Sequence, residues 1–94
     1  MEVEFSERAR SHLAAIKEYL RQQDQALADN IGCRIRAAVE VLGDFPNVGR
    51  VGRSPATREL VVRRLPYVVV YEVNLADGAD EVMVLGIFHT AQDR

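Results

Sequence analysis

The N-terminal residues combine two hydrophobic periods, one typical of a strand and one typical of a helix. Val3 and Phe5 alternate with acidic residues, which is the two-residue period of a short, half-buried strand. Ser6 is a favourable N-cap, and the apolar residues that follow recur at three- and four-residue spacings: Ala9, Leu13, Ile16 and Leu20. The pattern predicts a strand followed directly by an amphipathic helix.

A second helix is predicted over residues 25–42. Polar residues 22–25 interrupt the apolar pattern, and Asp24 is a suitable N-cap. The apolar stripe consists of Leu27, Ile31, Ile35, Ala38 and Leu42. Gly43 is expected to end the helix in the left-handed conformation. Two such helices form a helical hairpin, which needs another apolar surface to cover.

The second half of the chain is predicted to be rich in strands. Residues 44–57 contain Pro46 and Pro55, which disfavour helix and central strand, so a loop is expected there. Three segments dense in β-branched and aromatic residues then predict strands over residues 59–62, 67–73 and 81–88. Asp77 and Gly78 lie in the turn before the last strand, which therefore forms an antiparallel hairpin with the strand before it.

These elements predict an α+β fold of order β-α-α-β-β-β. The helical hairpin packs on one face of a small, mostly antiparallel four-stranded sheet. With 94 residues, of which 48% are hydrophobic, the chain has enough apolar material for one core. We therefore expect a single domain over residues 1–94 that leaves an exposed apolar groove on its surface.

Composition excludes several classes of protein. The acidic N-terminal residues do not resemble a secretory signal, and uncharged runs such as Leu65–Tyr71 are far shorter than the roughly 20 residues that span a bilayer. Cys33 is the single cysteine, and the two histidines do not complete a zinc-like ligand set. We expect a cytoplasmic protein that binds no membrane, metal or cofactor.

Positive charge is concentrated in one segment of a chain whose net charge is −2. Between residues 50 and 64 there are five arginines and one acid, Glu59, which gives +4 there and −6 elsewhere. The candidate residues for contact with a target or an acidic partner are Arg50, Arg53, Arg58, Arg63 and Arg64.

Several segments, taken in order, resemble the RelE/ParE superfamily of toxins from type II toxin-antitoxin modules. The resemblance covers nearly the whole chain. The matching segments are Val3-Glu4-Phe5-Ser6 with Ala9 and Leu13, Phe45-Pro46-Asn47-Val48-Gly49-Arg50, Thr57-Arg58-Glu59-Leu60, Leu65-Pro66-Tyr67-Val68-Val69-Val70-Tyr71, and Ile87-Phe88-His89-Thr90-Ala91-Gln92-Asp93.

This resemblance implies a toxin that arrests growth when free and is neutralised by a cognate antitoxin. Two mechanisms occur in the superfamily. RelE-like members cleave mRNA in the ribosomal A site without metal, whereas ParE-like members inhibit DNA gyrase. A fold that has lost its toxicity and survives as an antitoxin-binding partner is a third alternative, and the oligomeric state is left open.

Metal-free RNA cleavage would need an acid or base beside cations that stabilise the phosphate. The candidates for a nuclease are His89, Arg58 and Arg64, although His89 is equally suited to a structural hydrogen bond with the backbone. Glu59 cannot share a strand face with Arg58. Cleaving members commonly carry an aromatic residue near the C-terminus, which this chain lacks, and its net charge is acidic. The sequence therefore favours the ParE-like mechanism.

Three further aromatic and imidazole side chains have expected positions. Tyr67 and Tyr71 share one face of a strand by their even spacing, and core packing is the expected role of both. His12 is expected on the surface of the first helix.

Overall fold

A computed structural model describes residues 1–75 and 80–91, which form a helical hairpin on one face of a five-stranded sheet. The elements are β1 (Glu2–Phe5), α1 (Glu7–Arg21), α2 (Gln25–Asp44), β2 (Arg50–Val51), β3 (Thr57–Val61), β4 (Tyr67–Asn74) and β5 (Glu81–His89). The predicted α+β class and the helical hairpin are confirmed. The turn predicted at Asp77 and Gly78 lies outside the described residues.

The sheet has the strand order β1-β5-β4-β3-β2. Three pairings are antiparallel, including the expected hairpin of β4 with β5, and one is parallel, in which Val3 of β1 lies opposite Val82 of β5. The prediction of a mostly antiparallel sheet is confirmed. The last strand in the chain therefore lies inside the sheet, between the first strand and β4.

A short strand forms where only a loop was predicted. Arg50 pairs with Glu59 and Val51 pairs with Arg58, and the Gly52 N–H donates to the Thr57 carbonyl at 2.9 Å. The prediction of four strands, with residues 44–57 entirely in a loop, is thus wrong. Both prolines of this segment lie outside the two paired residues, so no missing N–H prevents the pairing.

Both helices begin where the sequence predicts, but α2 does not end at its predicted C-terminus. The Ser6 side chain accepts from the Ala9 N–H at 3.0 Å, and the Asp24 side chain caps α2 in the same way. Gly43 does not end α2, which continues to Asp44. Instead the Met1 ammonium donates to the Gly43 carbonyl at 3.0 Å, and a Cβ on Gly43 would lie 2.9 Å from the Met1 oxygen. The glycine therefore permits close approach of the N-terminus.

The hydrophobic core lies between the helical hairpin and the sheet face that it covers, here called the helix face. Its members are Ala9, Leu13 and Leu20 from α1, Ala28, Ile31, Ile35, Val39 and Leu42 from α2, Val62 just after β3, and Tyr67, Val69, Tyr71, Val82, Val84 and Ile87 from the sheet. Tyr67 and Tyr71 share this face, as predicted. Leu27 was wrongly placed in the stripe of α2, because the helix turns it outward and buries its neighbour Ala28 instead.

Helix α1 covers the part of β5 that β1 leaves unpaired. The Ser6 N–H donates to the Val84 carbonyl at 2.9 Å, and farther along the edge the Ile87 N–H donates to Nδ1 of His12 at 3.1 Å. The His12 ring is half-buried and meets the Phe88 ring edge-on at 5.0 Å. The expectation that His12 lies on the surface is therefore wrong, because its ring accepts from a backbone N–H of β5 beyond the end of β1.

The His12 contact predicts a pH dependence of stability. Burial, and secondly the nearby charge of Arg8, lower the pKa of His12 below 6.5. As the pH falls below 6.5, His12 is therefore protonated in the unfolded chain before it is protonated in the folded protein. The free energy of unfolding, which is at its full value above pH 6.5, decreases as the pH falls towards the folded-state pKa of His12. We expect His12→Asn, which keeps an acceptor but does not titrate, to show a smaller loss of unfolding free energy between about pH 7.5 and 5.5. Equal losses in urea titrations of both proteins would contradict this assignment.

Candidate functional site

The five arginines of the basic segment do not form one surface. Arg50 and Arg53 lie at the outer edge of the sheet, in β2 and just after it. Arg58 lies on β3, and Arg63 and Arg64 occupy the turn between β3 and β4. Strand alternation and the turn direct these side chains to different parts of the molecule, so the segment provides separate cationic positions.

Two side chains on the helix face hold the loop of residues 45–49. The fully buried Tyr71 hydroxyl donates to the Pro46 carbonyl at 2.7 Å and accepts from the Gly49 N–H at 3.0 Å. Arg58 Nη1 donates to the Gly49 carbonyl at 2.8 Å and to the Asn47 carbonyl at 3.4 Å. We call Tyr71 and Arg58 the loop clamp. The guanidinium that sequence analysis assigned to a phosphate is thus bonded to backbone carbonyls.

The opposite, outer face of the sheet carries a buried carboxylate. Glu59 pairs with Val70, whereas Arg58 pairs with the core residue Tyr71, so Glu59 and Arg58 occupy opposite faces as expected. The Glu59 side chain is only 5% exposed and lies 3.4 Å from Nη2 of Arg50. A cavity of about 250 Å³ adjoins it, lined by Arg8, Arg53, Ser54, Thr57, Glu59, Val70, Leu85 and Phe88.

His89 lies exposed at the end of β5 and bonds to the backbone. Its Nδ1 accepts from the Ala91 N–H at 3.1 Å, and its ring meets the Tyr67 ring edge-on at 5.8 Å. The structural hydrogen bond considered from sequence is therefore present. The turn that carries Arg63 and Arg64 lies at the same end of the sheet. Thr90, the residue after His89, donates its N–H to the carbonyl of Pro66, which follows that turn, at 2.8 Å.

The structure separates His89 from Arg58. His89 pairs with Tyr67, and Arg58 pairs with Tyr71, which lies four residues farther along β4. That offset is about 13 Å at the usual rise of a strand, and β4 lies between the two residues. Of the three candidates for a nuclease, only His89 and Arg64 share one end of the sheet.

Two residues that sequence reasoning did not select join this end of the sheet. Tyr19 in α1 is 64% exposed, and Arg34 in α2 donates to the Arg63 carbonyl at 2.7 Å. Burial, and secondly Tyr19, raise the pKa of Tyr67 above 10.0. The only sequence signal that could have identified Tyr19 is its position as a large aromatic residue on the polar side of an amphipathic helix.

A groove of about 580 Å³ lies between β1 and the helical hairpin, and neither residue of the loop clamp lines it. Its apolar lining residues are Val3, Phe5, Leu13, Ala14 and Ala28. Its rim carries charges of both signs, from Glu4, Arg10, Lys17, Glu18, Arg21, Asp29 and Arg36. The groove is thus apolar and charged in comparable parts, and its lining suits an amphipathic segment.

Within residues 1–75 and 80–91, no helix has the length and apolar character to cross a membrane. Over those same residues, no group of three histidine, cysteine or acidic side chains is placed to hold a metal ion.

Comparison with known proteins gives consistent matches over nearly the whole chain. Residues 3–94 match the family model described as "ParE toxin of type II toxin-antitoxin system, parDE". The "Putative toxin Y4kP" of Sinorhizobium fredii is 34% identical over 90% of this chain and 83% of its own. The "Toxin RelE2" of Caulobacter vibrioides is 36% identical over 90% of both chains. A solved structure titled "Chromosomal ParDE TA system from P. aeruginosa" shares the fold, with a TM-score of 0.81, 23% identity and 95% coverage of both chains.

Proposed function

Because the chain belongs to the ParE toxin family of type II toxin-antitoxin systems, we propose that it arrests bacterial growth by inhibiting DNA gyrase. In this proposal it acts in the cytoplasm, needs no metal or cofactor, and is neutralised by a cognate antitoxin.

The separation of Arg58 from His89 is the observation that supports inhibition of gyrase over RNA cleavage. Cleavage without metal needs an acid or base and a phosphate-binding cation at the same phosphate. Arg58 lies on another part of the sheet from His89 and bonds to the carbonyls of Asn47 and Gly49. One of the two arginines considered for a nuclease site is therefore engaged in holding a loop.

The groove between β1 and the helical hairpin is the proposed binding surface for the antitoxin. Its apolar lining residues would bury the apolar face of an amphipathic segment. Its charged lining residues, Arg36 and Asp29 among them, would pair with charges on the polar face of that segment. In this proposal the segment is disordered when free and folds on binding.

A ribosome-dependent mRNA endonuclease is the second candidate. It is favoured by the end of the sheet where His89, Tyr67 and the turn with Arg63 and Arg64 lie together. In that case His89 would transfer a proton and Arg64 would bind the phosphate.

Induced expression in a bacterial host tests these functions in one culture. We expect double-strand breaks in plasmid DNA recovered after protein denaturation, with no new codon-positioned 5′ ends in translated messages. The His89→Ala variant is expected to arrest growth as the wild type does, since gyrase inhibition does not use its ring for proton transfer. Codon-positioned cuts that disappear in His89→Ala would overturn the proposal in favour of the nuclease. Unaffected growth would instead indicate a fold that has lost toxicity.

A further inference from the structure

Arg63 and Arg64 differ from the other arginines of the basic segment in their surroundings. Arg58 is bonded to backbone carbonyls, and Arg50 lies beside the carboxylate of Glu59. Arg63 and Arg64 are exposed, and neither guanidinium has an ion pair or hydrogen bond with any of residues 1–75 and 80–91. The turn between β3 and β4 therefore carries two positive charges that the described fold does not use.

Arg64 adopts a backbone conformation that favours glycine. Its φ is 64°, in a turn that the Leu65 N–H closes on the Val62 carbonyl at 3.0 Å. The left-handed region is unfavourable for a residue with a side chain, and residues held there are concentrated at functional sites. An arginine that accepts this strain, with its charge unused by the described fold, indicates that the guanidinium binds something outside the chain.

The surroundings of the turn hold it in place and add an aromatic side chain. Arg34 Nη2 donates to the Arg63 carbonyl at 2.7 Å, which fixes the turn against α2. Tyr19 is 64% exposed at the same end of the sheet, where burial, and secondly the nearness of Tyr19, raise the pKa of Tyr67. Arginine and tyrosine side chains both contact phosphate oxygens in complexes with nucleic acid.

The charges at this end of the sheet favour an anionic ligand. Neither residues 60–71 nor residues 82–91 contain an acidic side chain, and Glu18, beside Tyr19, is ion-paired with Arg21. Duplex DNA carries one phosphate per about 1.7 Å of its axis, so adjacent guanidiniums meet phosphates wherever they touch it. A chain of net charge −2 has little attraction for free DNA, so such a contact needs a protein that holds the DNA in place.

We propose that Arg63 and Arg64, together with Tyr19, bind backbone phosphates of the DNA that gyrase holds in the inhibited complex. The inference rests on the gyrase function proposed above. The contact reads no base sequence, because it is made to phosphate alone. It also differs from the nuclease alternative, since the toxin breaks no bond of the nucleic acid and His89 transfers no proton.

Arg64→Gly and Ala56→Gly form a matched pair of variants. Ala56 has a φ of 70° in the loop between β2 and β3, so glycine relieves the same kind of strain at both positions. Neither variant should unfold at a lower temperature than the wild type. In DNA cleavage assays with purified gyrase, we expect Arg64→Gly to need at least about 5-fold more protein for half-maximal cleavage. Ala56→Gly should match the wild type, and added KCl should narrow the difference between Arg64→Gly and the wild type.

Photo-cross-linking identifies the molecule that this end of the sheet touches. DNA substituted with 4-thiothymidine around the gyrase cleavage site is irradiated in the complex with wild-type toxin. We expect an adduct that mass spectrometry maps to Tyr19 or to residues 62–67.

The other outcomes separate the inference from the proposed function. Equal cleavage by Arg64→Gly and the wild type would overturn the DNA contact while leaving gyrase inhibition intact. Weaker cleavage by Arg64→Gly without a DNA adduct at these residues would place the turn on an acidic surface of gyrase, which also overturns the inference. If the wild type causes no gyrase-dependent cleavage, the proposed function fails and the DNA contact fails with it.

Discussion

Replacing Ile35 with alanine is expected to lower the free energy of unfolding by about 2–5 kcal/mol, measured by urea titration. Ile35 has no exposed surface and lies in α2 among core residues contributed by both helices and the sheet. Truncation removes buried methyl groups and leaves a cavity that a close-packed core does not fully close. A domain of this length has a total stability on the order of 5–15 kcal/mol, so this variant should lose a large share of it.

Val41→Ala is the matched control for Ile35→Ala. Val41 lies in the same helix but is 43% exposed, so its truncation removes little buried surface. We expect a change below about 1 kcal/mol, since alanine also has the higher helix propensity. Similar losses for the two variants would show that the helix does not pack on the sheet through the Ile35 side.

Gly49→Ala is expected to destabilise the protein by about 2–4 kcal/mol and to displace the loop of residues 45–49. The added Cβ would lie 2.7 Å from the Tyr71 oxygen and 2.9 Å from the Glu59 carbonyl oxygen. Both positions are fixed, because Tyr71 is fully buried and Glu59 lies in a paired strand. The loop must therefore move away, and the hydrogen bond from the Gly49 N–H to the Tyr71 hydroxyl is lost.

Gly32→Ala separates this steric effect from the general effect of a glycine substitution. Gly32 lies inside α2, and a Cβ there would meet only the flexible Lys17 side chain, at 3.5 Å. Alanine should therefore stabilise the helix by up to about 1 kcal/mol. Thermal unfolding of both variants should give midpoints shifted in opposite directions. A Gly49→Ala protein as stable as the wild type would contradict the close packing of the loop.

The helices and the three long strands could be predicted because their signals are local. Ser6 and Asp24 are capping residues whose bonds reach only three residues along the chain. Dense β-branched residues made β4 recognisable without knowledge of its neighbours. The stripe of α2 was predicted with one error, at Leu27, because a sequence stripe does not reveal which side the other elements cover.

The features that could not be predicted depend on partners distant in sequence. The strand at Arg50 and Val51 exists because β3 supplies its hydrogen bonds, and two residues have no recognisable period. His12 is half-buried because β1 ends early and leaves the Ile87 N–H without a strand partner. In the candidate site, the closeness of the arginines in sequence does not bring their side chains together. Arg58 turns towards the loop of residues 45–49, whereas Arg63 and Arg64 lie in the turn between β3 and β4.

The position of β5 inside the sheet limits how early a nascent chain can fold. Val3 and Val82 pair although almost the whole chain separates them, and β4 also needs β5 as its neighbour. Contacts of such long sequence separation form late, because the loop they close is entropically costly. During synthesis the sheet must stay open until its last strand has left the ribosome. Incomplete chains from interrupted translation would then lack the folded sheet, and such fragments should be harmless to the cell that makes them.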